Sequence, residues 1–174
     1  MSAIQALLQE LEHEAKTTRR VLDRVPADRL AWKPHDKSMS LGQLALHVAT
    51  VPGAIADMSR KSPFQVGQFV QPSPGSASEL LPALDRSVAR ACEILSAMND
   101  TELTEIWRAV DGTRDVMAIP VGVLFRSIML NHWYHHRGQL SVYLRQCGAL
   151  VPSIYGPSAD ENPFAVASRQ AAAV

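Results

Sequence analysis

The chain has 174 residues, with seventeen Lys+Arg balanced by seventeen Asp+Glu, six histidines and two cysteines. This length suits one domain that buries about two thirds of its unfolded surface in a single core, without disulfides. The lack of net charge and of any basic block argues against nucleic acid or an anionic membrane as partner, and Cys92 and Cys147 belong to no C-x-x-C redox or zinc motif.

Apolar positions Ile4, Leu7, Leu8, Leu11, Ala15, Thr18 and Leu22 recur at helical spacing and predict a first helix over about 2–24, ended before Pro26. The amphipathic start "MSAIQALLQELEHEAK" does not look like a signal peptide, and no window approaches the roughly eighteen apolar residues of a spanning helix. With two free thiols, a cytoplasmic protein is expected.

Ser40 with Gln43 forms a capping-box pattern, so a second helix is expected over about 40–59, bent near Pro52-Gly53. The Pro-, Gly- and Ser-rich stretch "KSPFQVGQFVQPSPGSAS" reads as a long crossover loop. A third helix should start at a Ser76 or Ser78 cap, carry Leu80, Leu84, Val88, Cys92 and Leu95, and end near Asn99. Asp111-Gly112, between short apolar stretches, suggests a small hairpin or an irregular excursion.

Pro120 and Gly148 bracket the longest breaker-poor stretch, a fourth helix over 120–147. The Pro-rich tail, about 149–174, should fold back over the body, with 164–174 adding a short helix or fraying. Four amphipathic segments predict one all-α domain over 1–174, a four-helix bundle with a long crossover loop.

Functional sites of bundles are built from inward polar residues, and "NHWYHHRGQL" at 131–140 holds three histidines. At about 100° per residue, His132 and His136 share one face, aligned with Phe125, Ile128, Gln139 and Tyr143, while His135 is turned away. His47 falls within the apolar stripe of the second helix, drawn by Leu41, Leu44, Val48, Val51 and Ile55. Three neutral imidazoles suit a zinc-like ion with an open fourth position. On geometry alone, hydrogen-bonded core histidines remain an equal alternative.

A zincin protease is disfavoured, because Trp133 stands where H-E-x-x-H requires glutamate. Gln139 and Tyr143 are candidates to support the ligands, with a boundary Gln and a packing Tyr as the ordinary readings, and Tyr155 in the tail is expected to pack. Arg137 should point away from the metal face into a surface or inter-helix ion pair, and Gly138 should permit close helix packing. His13 and His35 read as surface residues, and Cys147 lies too far along the helix to join the site.

"KPHDKSMSLGQLALHVA", "NHWYHHRGQLSVYLRQCG" and "VPSIYGPSADE", in that order, resemble the DinB family of the DinB/YfiT-like superfamily over about residues 5–162. The resemblance implies a four-helix bundle with a divalent metal on three histidines, which map onto His47, His132 and His136. Zn or Ni is the first expectation and Mn or Fe the next. It further implies a transferase that activates a low-molecular-weight thiol toward an electrophile, since such relatives exist in the superfamily. The alternative is a non-catalytic metal-binding stress-response protein, as some members were once linked to DNA damage. A small thiol cosubstrate, a small-molecule electrophile and a homodimer are the partners this resemblance allows.

Overall fold

The computed structural model describes residues 1–67 and 70–165. The short helix or frayed end expected over 164–174 therefore lies, beyond Ala165, outside the described residues.

Helix α1 (Ala3–Leu22) begins at a capping box absent from the sequence reading: Ser2 Oγ accepts from Gln5 N, and Gln5 Oε1 from Ser2 N. The Asp100 carboxylate accepts from Ala3 and Ile4 N, two more of the amides that a helix start leaves without partners. Helix α2 (Leu41–Ser59) starts at the expected Ser40–Gln43 box and runs through Pro52. Helix α3 (Leu80–Ser96) departs from its predicted ends. Neither Ser76 nor Ser78 caps it; a 3-10 turn, Ala77–Glu79, leads in, while the two hydroxyls bond each other at 2.7 Å. At the far end Asn99 Oδ1 accepts from Thr101 N and Glu102 N, so Asn99 organises the following turn rather than extending α3.

The expected pure all-α bundle is corrected by a small sheet ordered β1-β2-β3: β1 (Phe64–Gln65), β2 (Ile106–Asp111) and β3 (Arg114–Pro120). β2 and β3 form the hairpin whose turn the sequence placed at Asp111-Gly112, and Gly112 takes φ +62° there. Trp107 and Ala109 turn inward while Ile106 and Arg108 face out, the alternation of a half-covered strand. Strand β1 pairs parallel to β2, and a two-residue strand is too short for any period to show.

The fourth helix is three pieces in succession: α4 (Val121–Val123), a π-helical stretch Leu124–Asn131, and α5 (His132–Gln146), ended by Gly148 at φ +74°. The wider π turn changes the rotation per residue, so a uniform helical wheel carried across it fails. Phe125 and Ile128, placed in one line with His132 by that wheel, separate into a fully buried and a half-buried residue. The buried face of α5 is Trp133, Arg137, Leu140 and Leu144.

Helix α2 packs against α3 on one side and the fourth helix on the other, and α1 closes the layer against α3. The tail from Leu150 turns back over the ends of α1 and α5. Arg20 donates to Ser153 O and pairs with Glu161, and Asp160 accepts from Arg145 and Val151 N. Among the described residues no helix is long and apolar enough to cross a membrane.

Proline inside α2 leaves the Val48 carbonyl without its usual donor four residues on. Trp133 Nε1–H of α5 fills that role at 2.7 Å, while the next amide, Gly53 N, donates to Ser87 Oγ of α3 at 2.8 Å. A Cβ at Gly53 would lie 2.9 Å from the Ser87 carbonyl oxygen, so this glycine sets how closely α2 and α3 approach. Gly53→Ala should destabilise the fold by about 1–3 kcal/mol, read as a lower urea midpoint at unchanged slope; an unchanged midpoint would show that α3 yields freely.

Candidate metal centre

The sequence places His47 near the middle of α2 and His132 and His136 one turn apart in the first turns of α5, on antiparallel neighbours. The Trp133-to-Val48 bond ties the two helices at positions adjacent to His132 and His47. The fold thus brings all three candidate ligands together: their ligand nitrogens lie within 4.8 Å of one another. His47 Nε2 and His132 Nε2 are 3.0 Å apart, and the three rings meet edge to face with centroids 4.3–5.2 Å apart.

The donor set fits a divalent ion. Nitrogens bound at about 2.0–2.1 Å on a tetrahedral ion stand about 3.3 Å apart, close to the spacing already present. His136 Nδ1–H donates to Gln139 Oε1 at 2.7 Å, which leaves Nε2 with its lone pair toward the group and sets the ring's orientation. Gln139, proposed from sequence as a support, therefore touches a candidate ligand directly.

All three imidazoles favour the neutral, ligating form. Burial, then the neighbouring His136 and His132, lowers the His47 pKa from 6.5 to about 4. Burial likewise lowers His132, with His136 and His135 adding to it. Burial also lowers His136 against the opposing pull of Gln139. These histidines sit at the edge of the core, half-buried, rather than at its centre. That position leaves one side of the group toward solvent.

The remaining candidates fall elsewhere. Tyr143 packs edge to face on Trp32, with centroids 5.5 Å apart, the ordinary reading for it. His135 and His13 are exposed, and exposed His35 accepts from Lys37 N in a local turn. A Cβ on Gly138 would meet nothing within 4 Å, so close helix packing is not its role.

Of the two readings for Arg137, the structure bears out the inter-helix ion pair and not the surface one: its side chain is 1 % exposed. Its guanidinium pairs with the Glu14 carboxylate at 2.5 Å and donates to Glu14 O, Thr18 Oγ1 and Tyr155 OH. Tyr134 and Tyr155 present ring faces to it at 5.2 and 5.1 Å. Helix geometry did turn Arg137 away from the metal face, but toward buried Glu14 of α1 rather than water. Tyr155 therefore closes over this ion pair and not over the histidines. Helical spacing of Glu14 among Leu7, Leu11, Thr18 and Val21 was the available signal that α1 buries a carboxylate.

The sequence profile of the DinB family matches residues 1–164. The Bacillus subtilis (strain 168) protein YrdA is 28% identical over 155 residues, 88% of this chain and 89% of that protein. Among solved structures, a DinB-like protein from Bacillus cereus ATCC 10987 superposes with a TM-score of 0.71 at 26% identity, covering 87% of this chain and 97% of that one. The DinB-like protein YjoA from Bacillus subtilis superposes with a TM-score of 0.61 at 18% identity over 82% and 92% of the two chains, a likeness of fold.

Two outcomes check this geometry. Trp133→Phe removes the indole N–H, strands the Val48 carbonyl and leaves unfilled volume at a fully buried position; stability should fall by at least about 1–3 kcal/mol in urea unfolding. The pH dependence has a definite sign, because the folded pKa of His47 is depressed below its ordinary 6.5. The unfolded chain takes up protons that the folded one refuses, so metal-free protein should hold its stability above pH 6.5 and lose it as pH falls toward about 4. Thermal midpoints of chelator-treated protein measure this, and a flat profile over that window would contradict the neutral-imidazole assignment.

Proposed function

The chain belongs to the DinB family, and from that premise we propose that His47, His132 and His136 hold a divalent metal ion at which a low-molecular-weight thiol is activated for transfer to a small electrophile. The observation that carries this reading is the three-imidazole group itself, within 4.8 Å and with no carboxylate among its members. Zn or Ni suits three neutral nitrogens best, with Mn or Fe next.

Each residue has a part that follows from its surroundings. Burial keeps the imidazoles unprotonated, so the donors are ready at neutral pH. Gln139 fixes which nitrogen of His136 faces the group. The indole of Trp133 holds α5 against α2 and so keeps His132 beside His47.

The chemistry a divalent ion supplies at such a site is Lewis acidity at an open position, which favours the ionised, nucleophilic form of a small thiol. Trp133 stands where a zincin carries its glutamate, so the motif offers no general base to activate water. That difference favours group transfer over hydrolysis. Half-burial of the three imidazoles leaves them reachable from solvent, where a thiol and an electrophile would approach.

Untagged protein should carry about one equivalent of metal per chain, lost in His132→Ala and released below about pH 6 as imidazoles protonate. Gln139→Ala should weaken metal binding by about 10–100-fold while leaving the fold intact. Elemental analysis and competition with a chelator read all three. Turnover of electrophiles with a panel of small thiols then separates an enzyme from a protein that only binds metal; protein free of stoichiometric metal would falsify the reading.

A further inference from the structure

A second concavity lies at the other end of the groove between α2 and the fourth helix. It has a volume of about 520 Å³, within the size range of small-molecule sites. Its walls are Met58 at the end of α2, Phe64 of β1, Trp107 and Met117 of the hairpin, and Leu124 and Ile128 of the π-helical stretch. Among the described residues, none of those lining it is charged.

Side-chain N–H groups of these walls donate within the protein. Trp107 Nε1–H donates to Met58 O and Lys61 O, so the cavity meets only the indole ring. The Gln65 amide donates to Gly112 O at 3.2 Å. Phe64 and Trp107 stack with planes 28° apart and centroids at 6.1 Å, which makes one wall flat and aromatic. A charged or strongly hydrated ligand would lose its water here without replacement, so the chemistry of the lining selects an uncharged apolar one. Two methionines in the wall allow it to adjust to the shape of that ligand.

The cavity shares the fourth helix with two of the histidines. Leu124 and Ile128 belong to the π-helical stretch that ends where His132 begins, and Ile128 precedes His132 by four residues. An eight-residue π-helix is a rare conformation, frequent at functional sites, and here Leu124 and Ile128 within it line the cavity while a candidate ligand, His132, directly follows it.

We propose that this cavity is a binding site for a small, neutral, apolar molecule; resting on the function proposed above, that molecule is the apolar portion of the electrophile. The probe is the neutral dye N-phenyl-1-naphthylamine, whose fluorescence rises on leaving water. Met117→Glu and Val66→Glu change half-exposed positions on the rim, where folding is spared, and each should weaken dye binding at least about tenfold by placing a carboxylate against an apolar ligand. Val142→Glu, exposed on α5 away from the cavity, should leave it unchanged, and metal-free His132→Ala should still bind dye. Equal dye affinity in wild type and both rim variants overturns the site. So does a wild-type dimer that Met117→Glu converts to a monomer, since a second copy would then be the occupant. Metal content of the same samples keeps the two readings apart: dye binding by a metal-free wild type removes the metal centre and leaves the cavity, whereas metal retained without rim-sensitive dye binding does the reverse.

Discussion

The candidate site depends on one hydrogen bond made possible by one missing one. Pro52 has no amide hydrogen, so the Val48 carbonyl inside α2 is left for a donor from outside its own helix. Trp133 of α5 supplies it at 2.7 Å in a fully buried position. A buried carbonyl without a partner costs about 1–3 kcal/mol, so the two helices are held in one register rather than in several of similar energy. Since Val48 follows His47 and Trp133 follows His132, the same register sets the 3.0 Å approach of the two imidazoles.

The second half of α2 uses the same device toward α3. Gly53 N donates to Ser87 Oγ across a contact too close for any Cβ. A proline and a glycine that would weaken an isolated helix thus become its points of attachment on both sides. The tail adds a third clamp. Its Tyr155 completes the shell around the buried Arg137–Glu14 pair, which joins α1 to α5 on a different face from the histidines. A buried ion pair adds little net stability over apolar residues of the same shape, yet removing one partner strands a buried charge and costs about 3–5 kcal/mol.

The three histidines and the supporting Gln139 were legible because each lies on a regular α-helix, where spacing converts directly to a face. The same conversion does not extend to Phe125 and Ile128, which lie in the π-helical stretch and turn at a different rate, though both pack in or against the core. For Arg137 it left a surface and an inter-helix ion pair open: a wheel assigns direction but not what stands in that direction, and the Glu14 partner that makes it inter-helix lies 123 residues away in the chain. The two-residue strand β1 left no trace because pairing with β2, not its own composition, makes it a strand.

Local chemistry written into the chain therefore determined the helices, the Ser40–Gln43 cap, the hairpin turn at Gly112 and which residue types could ligate a metal. These follow from interactions between residues a few positions apart. Tertiary structure alone decided that His47 meets His132, that Trp133 reaches Val48, that Arg137 is buried on Glu14, and that an apolar cavity opens beside the π-helical stretch. Those contacts join segments separated by up to 123 residues, and only the packing of whole helices specifies them.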